Sequence, residues 1–430
     1  MSRKQPTWYE QQFIKDMMGL LGGKAIRGIS NSFSSPKILI GKTGVSGAAG
    51  VIEAAFDKEY RRALIITDSF TKKFVPKVTD PLEYVEIDYR VYSGVEPEVP
   101  LRNIEEGVKI CEEYKPTVII AIGGGSVIDA AKIIMLKYEK PETNLYMLLP
   151  VAGPLGLRQK VRYLIAIPTT SGTGSEVTNA AVLTDTNRTP PKKFEITWSE
   201  LIPDIAILDT DFVEDLPPFL TRGTGLDALA HAVGAYVSNW GTPFIDAINI
   251  TAIKEIVKYL PRAYKYGKGD IEARSHMQMA ASLAGLGFGN TLPGIDHSLG
   301  HSLGKILEVH HGLAVGMLLP YSIGFQAKVT DRWKDLCQIF GVEIANKDRD
   351  TLFKEFLAAL KEFIHSIDGP TCVKDLKEPS INKDEYIKKI DVLAEYAEDD
   401  AVSLLSYRPM TVDLYKKIFE YAWDGKDIDF

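Results

Sequence analysis

Asp227-Ala-Leu-Ala-His231 sets a carboxylate and an imidazole four residues apart, and His297-Ser-Leu-Gly-His301 repeats the spacing with two imidazoles. On a helix, residues at i and i+4 project from one face about one turn apart. His310-His311 follows closely, so six of the seven histidines fall between His231 and His311. A carboxylate oxygen and imidazole nitrogens together suit Zn2+, Fe2+ and related divalent ions. Four protein ligands are enough for such an ion, which leaves His301 or His310 for another role. A solitary histidine such as His276 reads as a structural residue.

A second kind of chemistry is written into the first half of the chain. Gly123-Gly-Gly-Ser126 follows an apolar run ending at Ile122 and precedes a helical stretch. Glycines let the backbone approach an anion, and a new helix offers unpaired N–H groups at its positive end. That combination suits a pyrophosphate, although an ordinary strand–helix turn has the same composition. Pro168-Thr-Thr-Ser-Gly-Thr-Gly-Ser-Glu176 ends another apolar run and is rich in hydroxyls suited to ribose, phosphate or an amide. Asp68 also ends a strand-like run. A carboxylate there can bind ribose hydroxyls and repel a 2′-phosphate, which favours NAD over NADP. It can equally cap the segment beginning at Ser69.

The elements that must carry these groups follow from periodicity. Lys37 to Ile40, Arg62 to Asp68, Thr117 to Ile122, Tyr163 to Ile167 and Ile205 to Leu208 read as strands. The continuous β-branched run at Thr117 suits a strand buried on both faces. Leu101 to Tyr114 and Val127 to Tyr138 read as intervening helices, so the alternation predicts a mostly parallel sheet covered by helices. After Leu216-Pro-Pro218 the strand-like runs nearly vanish. Pro243 to Tyr259, Ile271 to Gly287 and Thr351 to Ile364 carry helical patterns instead. The expected division is an N-terminal extension over 1–34, an α/β domain over 35–215 and an all-helical domain over 216–430. Pro141 to Lys160 reads as a loop or insertion.

Bulk composition excludes several classes of function. The 430 residues carry a net charge of −7 with no basic arm, which argues against nucleic acid as the main partner. Cys111, Cys337 and Cys372 are widely spaced and form no CxxC pair, as expected of reduced thiols in a cytoplasmic protein. No secretory leader and no membrane span are expected. Trp8 to Leu21 has the pattern of an amphipathic helix, without the dense basic face of a membrane binder.

Taken with their order, these blocks resemble the iron-containing, or group III, alcohol dehydrogenase family. The resemblance runs from about Ser35 to the Arg408-Pro-Met410 segment and the final helix. It rests on Gly94-Val-Glu-Pro97, Gly123-Gly-Gly-Ser-Val-Ile-Asp129, Ile167-Pro-Thr-Thr-Ser-Gly-Thr-Gly-Ser-Glu176, Pro203-Asp-Ile-Ala-Ile-Leu-Asp209, Thr224-Gly-Leu-Asp-Ala-Leu-Ala-His231 and Asp296-His-Ser-Leu-Gly-His301, with His311-Gly312 beyond. It implies an α/β dinucleotide-binding domain followed by an all-α domain, the fold shared with dehydroquinate synthase, with the active site in the intervening cleft. It implies Asp227, His231, His297 and His311 as metal ligands and His301 as a nearby catalytic histidine. It puts Asp68, Gly124, Gly125, Ser126, Asp129, Thr169, Thr170, Thr173 and Lys193 at or near the cofactor. Gly234 stands where the family commonly has Glu, Ser302 where it has Pro, and Glu308-Val-His310 where it has Asn-x-Pro.

The implied reaction is reversible hydride transfer between a primary or secondary alcohol and NAD or NADP, assisted by Fe2+ or another divalent ion such as Zn2+. The implied partners are a small alcohol or aldehyde and further copies of the chain, as a dimer or larger. The competing readings are a dehydroquinate synthase-like or glycerol dehydrogenase-like enzyme and a non-catalytic nucleotide- or metal-binding scaffold. A dehydroquinate synthase-like enzyme would need a strongly basic pocket for a phosphorylated substrate, whereas glycerol-type relatives stay open as subtypes. The helical-half motifs are flanked mainly by Leu, Gly and Val, which suits a less charged substrate.

Overall fold

The computed structural model describes residues 7, 9, 11, 12, 14, 33–148, 154–188 and 191–430. The amphipathic segment expected over Trp8 to Leu21 lies, but for isolated positions, outside the described residues. Two compact units are formed by Phe33–Asp215 and by Leu216–Phe430.

The first unit is a parallel α/β sheet. Strands β1 (Lys37–Ile40), β2 (Arg62–Asp68), β3 (Asp88–Val95), β4 (Val118–Gly123), β5 (Tyr163–Pro168) and β8 (Ile205–Leu208) pair in the order β1-β8-β5-β4-β2-β3. Every pairing in it is parallel. β6 (Ala180–Asp185) and β7 (Lys192–Thr197) form a separate antiparallel pair. Helices α1 (Gly44–Ala55), α2 (Val75–Tyr84), α3 (Leu101–Tyr114) and α4 (Gly125–Glu139) cover the two faces. The alternation of side chains along a strand explains how. Leu64, Ile66, Ile119 and Ala121 pack with Ile104, Cys111 and Ile128 of α3 and α4. Their neighbours Ala63, Ile65, Val118 and Ile120 pack with Ile52 and Leu82 of α1 and α2. A strand apolar on both sides is therefore stable only as a middle layer, and each fully buried aliphatic side chain contributes roughly 1.5–3 kcal/mol.

This topology positions the polar loops. The chain runs from β2 outward to β3, then returns to the other side of β2 as β4. The reversal leaves a crevice outside the carboxyl ends of β2 and β4, where open α/β sheets take ligands. Asp68 ends β2, the Gly123–Gly125 turn ends β4, and Thr169 follows β5, whose Pro168 stands in register with Gly123.

β3 and the β6–β7 pair are additions to the strands expected from sequence. β3 is an edge strand in which only Tyr92 and Val95 are buried. The described part of Pro141 to Lys160 holds one 3-10 turn, Leu145–Met147.

Among the described residues of the second unit every regular element is helical, as the sequence leads one to expect. The longer ones are α5 (Pro218–Val237), α6 (Pro243–Tyr266), α7 (Ile271–Gly289), α8 (Ile295–Leu307), α9 (His311–Gln326), α10 (Arg349–His365), α11 (Lys383–Glu398) and α12 (Val412–Asp424). α5 and α9 are buried almost all round, the mark of helices at the centre of a bundle. They touch through bare backbone. A Cβ built on Gly312 would lie 2.0 Å from the Gly223 carbonyl oxygen. A Cβ on Gly234 would lie 2.5 Å from the Gly294 amide nitrogen, so no glutamate fits that position here.

Candidate active site

The helical unit gathers the metal-type side chains. Asp227 and His231 sit one turn apart in α5, His297 in the first turn of α8, and His311 opens α9. Donor atoms of Asp227, His297 and His311 all lie within 4.8 Å of one another. Asp227 Oδ1 is 3.3 Å from His311 Nε2, 3.7 Å from His297 Nε2 and 3.8 Å from His231 Nδ1. His231 stands at the rim of this group, its ring stacked between His297 at 4.3 Å and Phe288 at 4.1 Å.

Three of these atoms, Asp227 Oδ1, His231 Nδ1 and His297 Nε2, are buried and have no hydrogen-bond partner among the described residues. Leaving polar atoms so placed costs roughly 1–3 kcal/mol each, more for a charged group. A cation held among them would offset that cost. Residues outside the cluster fix its orientation. His297 Nδ1 lies 2.7 Å from Asp296 Oδ2, and Ser322 Oγ donates to Asp296 Oδ1 at 3.0 Å. Asp296 thus holds the Nδ1 side of the ring and turns Nε2 towards Asp227, and against the effect of burial the two carboxylates raise His297 to about 9. Burial alone would raise the Asp227 carboxyl. The His231 and His311 imidazoles and the contact with His297 outweigh it and hold Asp227 well below the usual carboxylate range. Burial pushes His231 down to about 3, which keeps it neutral. A buried carboxylate and imidazoles whose protons a cation would displace form a set of borderline donors that fits a divalent transition ion.

His301 lies one turn beyond His297 and stacks on His311 at 5.1 Å. Its Nδ1 is 2.8 Å from Asp400 Oδ2, while Asp400 Oδ1 accepts from the Val402 amide at 3.0 Å. The ring is thereby oriented through its Nδ1.

In the α/β unit, Gly124 is the N-cap of α4 and supplies no side chain. A Cβ on Gly124 would come within 3.3 Å of Thr170, and one on Gly125 within 2.8 Å of Thr173. The Thr169 amide donates to the Gly123 carbonyl at 3.0 Å, so the two loops close on each other. Ser126 lies in the first turn of α4. Asp68 Oδ1 accepts from the Phe70 and Thr71 amides, both at 2.7 Å, and so closes the turn that leads into the 3-10 helix Thr71–Phe74, whose N-cap is Phe70.

Two residues expected near the cofactor are engaged within the protein. Asp129 Oδ1 accepts from Ser175 Oγ at 2.5 Å and Oδ2 from the Val182 amide at 2.9 Å. Lys193, on β7, pairs with Glu98 at 3.0 Å.

Comparison with known proteins draws these parts together. Residues 36–210 match the iron-containing alcohol dehydrogenase family, and residues 221–423 match the C-terminal part of the Fe-containing alcohol dehydrogenase family. The chain belongs to the iron-containing alcohol dehydrogenase family. It is 35% identical over 385 residues to an NADPH-dependent butanol dehydrogenase of Clostridium saccharobutylicum, covering 89% of this chain and 96% of that one. It is 31% identical over 396 residues to the bifunctional aldehyde-alcohol dehydrogenase AdhE of Escherichia coli, spanning 86% of this chain and 44% of that longer protein. The crystal structure of a 1,3-propanediol oxidoreductase superposes with a TM-score of 0.82 at 28% identity, over 92% of this chain and all of that one. This family member is accordingly an oxidoreductase of the alcohol dehydrogenase type. Iron is the metal of the family's name, and zinc, which the donor set leaves open, finds no support in these matches. Among the described residues no helix is long and apolar enough to cross a membrane.

Asp296 and Asp400 were not singled out by sequence reasoning. Asp296 precedes a candidate ligand, a signal that was available. Asp400 lies about a hundred residues from His301 and carries no local sign of its role.

Proposed function

We propose that this chain is an NAD-linked, iron-dependent dehydrogenase of short primary alcohols. The observation that supports it most is the convergence of Asp227, His297 and His311 from three helices, with His231 beside them and three buried atoms of the four residues lacking hydrogen bonds among the described residues. Butanol and 1,3-propanediol, named for two similar proteins, set the substrate class.

A divalent ion bound by these four side chains supplies Lewis acidity to the alcohol oxygen, and a nicotinamide ring receives the hydride. The protein's own groups do the rest. Asp227 offsets part of the ion's charge. Asp296 holds His297 in the ligand tautomer. The loops at Gly124–Ser126 and Thr169–Thr173 bind the dinucleotide phosphates through backbone amides and hydroxyls. His301, steadied by Asp400, takes the hydroxyl proton as the carbon–hydrogen bond breaks, and returns it in the reverse direction. The products are an aldehyde, a reduced nicotinamide and one proton.

The test is metal quantification on the intact chain, followed by assay of iron-loaded protein with butanol and 1,3-propanediol. Net formation of NADH is expected. Stoichiometric metal with no turnover of either alcohol would overturn the reading. Cofactor choice has its own test, because the carboxylate of Asp68 opposes a 2′-phosphate. Asp68→Gly is expected to lower the kcat/KM ratio of NAD to NADP by about tenfold, roughly 1.4 kcal/mol of lost discrimination. An unaltered ratio would leave Asp68 with the turn alone.

A further inference from the structure

Lys132 lies two turns into α4 and is completely buried. Its ammonium donates to Ser175 Oγ at 2.9 Å, Thr178 Oγ1 at 3.2 Å and the Ala180 carbonyl at 2.6 Å, and stands 3.8 Å from Asp129 Oδ1. Ser175 is the joint of this network, accepting from Lys132 and donating to Asp129. Both charged groups thus leave the same helix and grip the segment that follows Thr173, just after Gly174, whose φ of +59° turns the chain sharply. Thr173 is the residue that packs on Gly125 across the candidate cradle.

We propose that Lys132 is a positioning residue for the cofactor: with Asp129 it pins the Thr173–Ser175 corner against α4, so that the hydroxyl loop and the glycine turn face one anion. The proposal rests on the reading that these two loops take the dinucleotide. Burying an ammonium is costly, and an apolar side chain of similar volume often packs as well or better. Burial lowers Lys132 to about 8 even with Asp129 and Glu176 nearby. What a methionine at this position could not supply is three directed donors, and all three are spent on the segment Ser175 to Ala180. That segment joins the hydroxyl loop to β6, so its hold on α4 sets the loop's place.

The experiment compares Lys132→Met, Ser175→Ala and the double variant with the parent, all as full-length iron-loaded protein. NADH binding is followed by fluorescence, with KM for NAD and for butanol, kcat and metal content. Lys132→Met is expected to raise the NADH Kd and the KM for NAD by about tenfold, leaving metal content and butanol KM within about twofold. Because Ser175 is the shared joint, the double variant is expected to lose no more than Lys132→Met alone. Unaltered NADH affinity in a folded Lys132→Met chain, losses that multiply in the double variant, or equal losses in metal and butanol KM would each overturn the proposal. If Lys132→Met does not fold, Ser175→Ala alone decides, with weakened NADH binding expected and parental binding overturning it. A parent chain that binds neither NADH nor NADPH would instead overturn the reading of the loops.

Discussion

His311→Ala is expected to fold like its parent and to lose its metal and its alcohol oxidation together. The side chain is 31% exposed at the start of α9, so truncation leaves little buried void. Yet its Nε2 is the nitrogen nearest to Asp227 Oδ1. Loss of an outer partner alone typically costs about 10–100-fold in metal affinity, and loss of a direct ligand should exceed that. His297→Ala should lose the metal as well, with a second effect that separates the two variants. It strips the fully buried Asp296 carboxylate of its imidazole donor, which costs roughly 3 kcal/mol in the metal-free chain. Metal stoichiometry, turnover and melting in chelator are the measurements. A His311→Ala protein that keeps full metal and full activity would remove His311 from the ligand set.

Gly312→Ala is the other large effect expected, and it contains no change of ligand. The added methyl would stand 2.0 Å from the Gly223 carbonyl oxygen and 2.6 Å from its carbon, contacts only a shift of α9 against α5 can relieve. Overpacking of this kind costs about 1–3 kcal/mol, or several degrees of melting temperature in a unit of this size. The same shift would widen the 3.3 Å approach of His311 to Asp227, since Gly312 adjoins His311 and Asp227 lies one turn along α5 from Gly223. Metal affinity is therefore expected to fall by at least about tenfold with all four donors present. Parental melting and parental metal content in this variant would show that the crossing has slack.

What could be read from sequence divides along physical lines. β2, β4 and β8 are continuous apolar runs, because both of their faces are covered, and such runs stand out from their surroundings. β3 has a single neighbour and exposes Asp88, Arg90 and Val91, so solvent rather than core chose its residues. The β6–β7 pair was open to detection, since Lys192 to Thr197 alternates buried and half-buried positions in period two. The helical i, i+4 pairs were legible as one face of a helix. Their meeting with His311, and the grip of Asp400 on His301, depend on packing between helices far apart in the chain. An acidic stretch such as Glu398-Asp-Asp400 ordinarily marks a solvated surface, and only the fold turns its last member towards an imidazole.

The turn at Asp68 bears on how coenzyme choice could drift among such proteins. One carboxylate oxygen already serves two backbone amides, so the group proposed to oppose a phosphate also shapes the loop. Most replacements would therefore alter preference and loosen the turn at once. Asparagine keeps an oxygen for both amides while discarding the charge, so Asp68→Asn would alter the electrostatics of this corner with the least change to its turn.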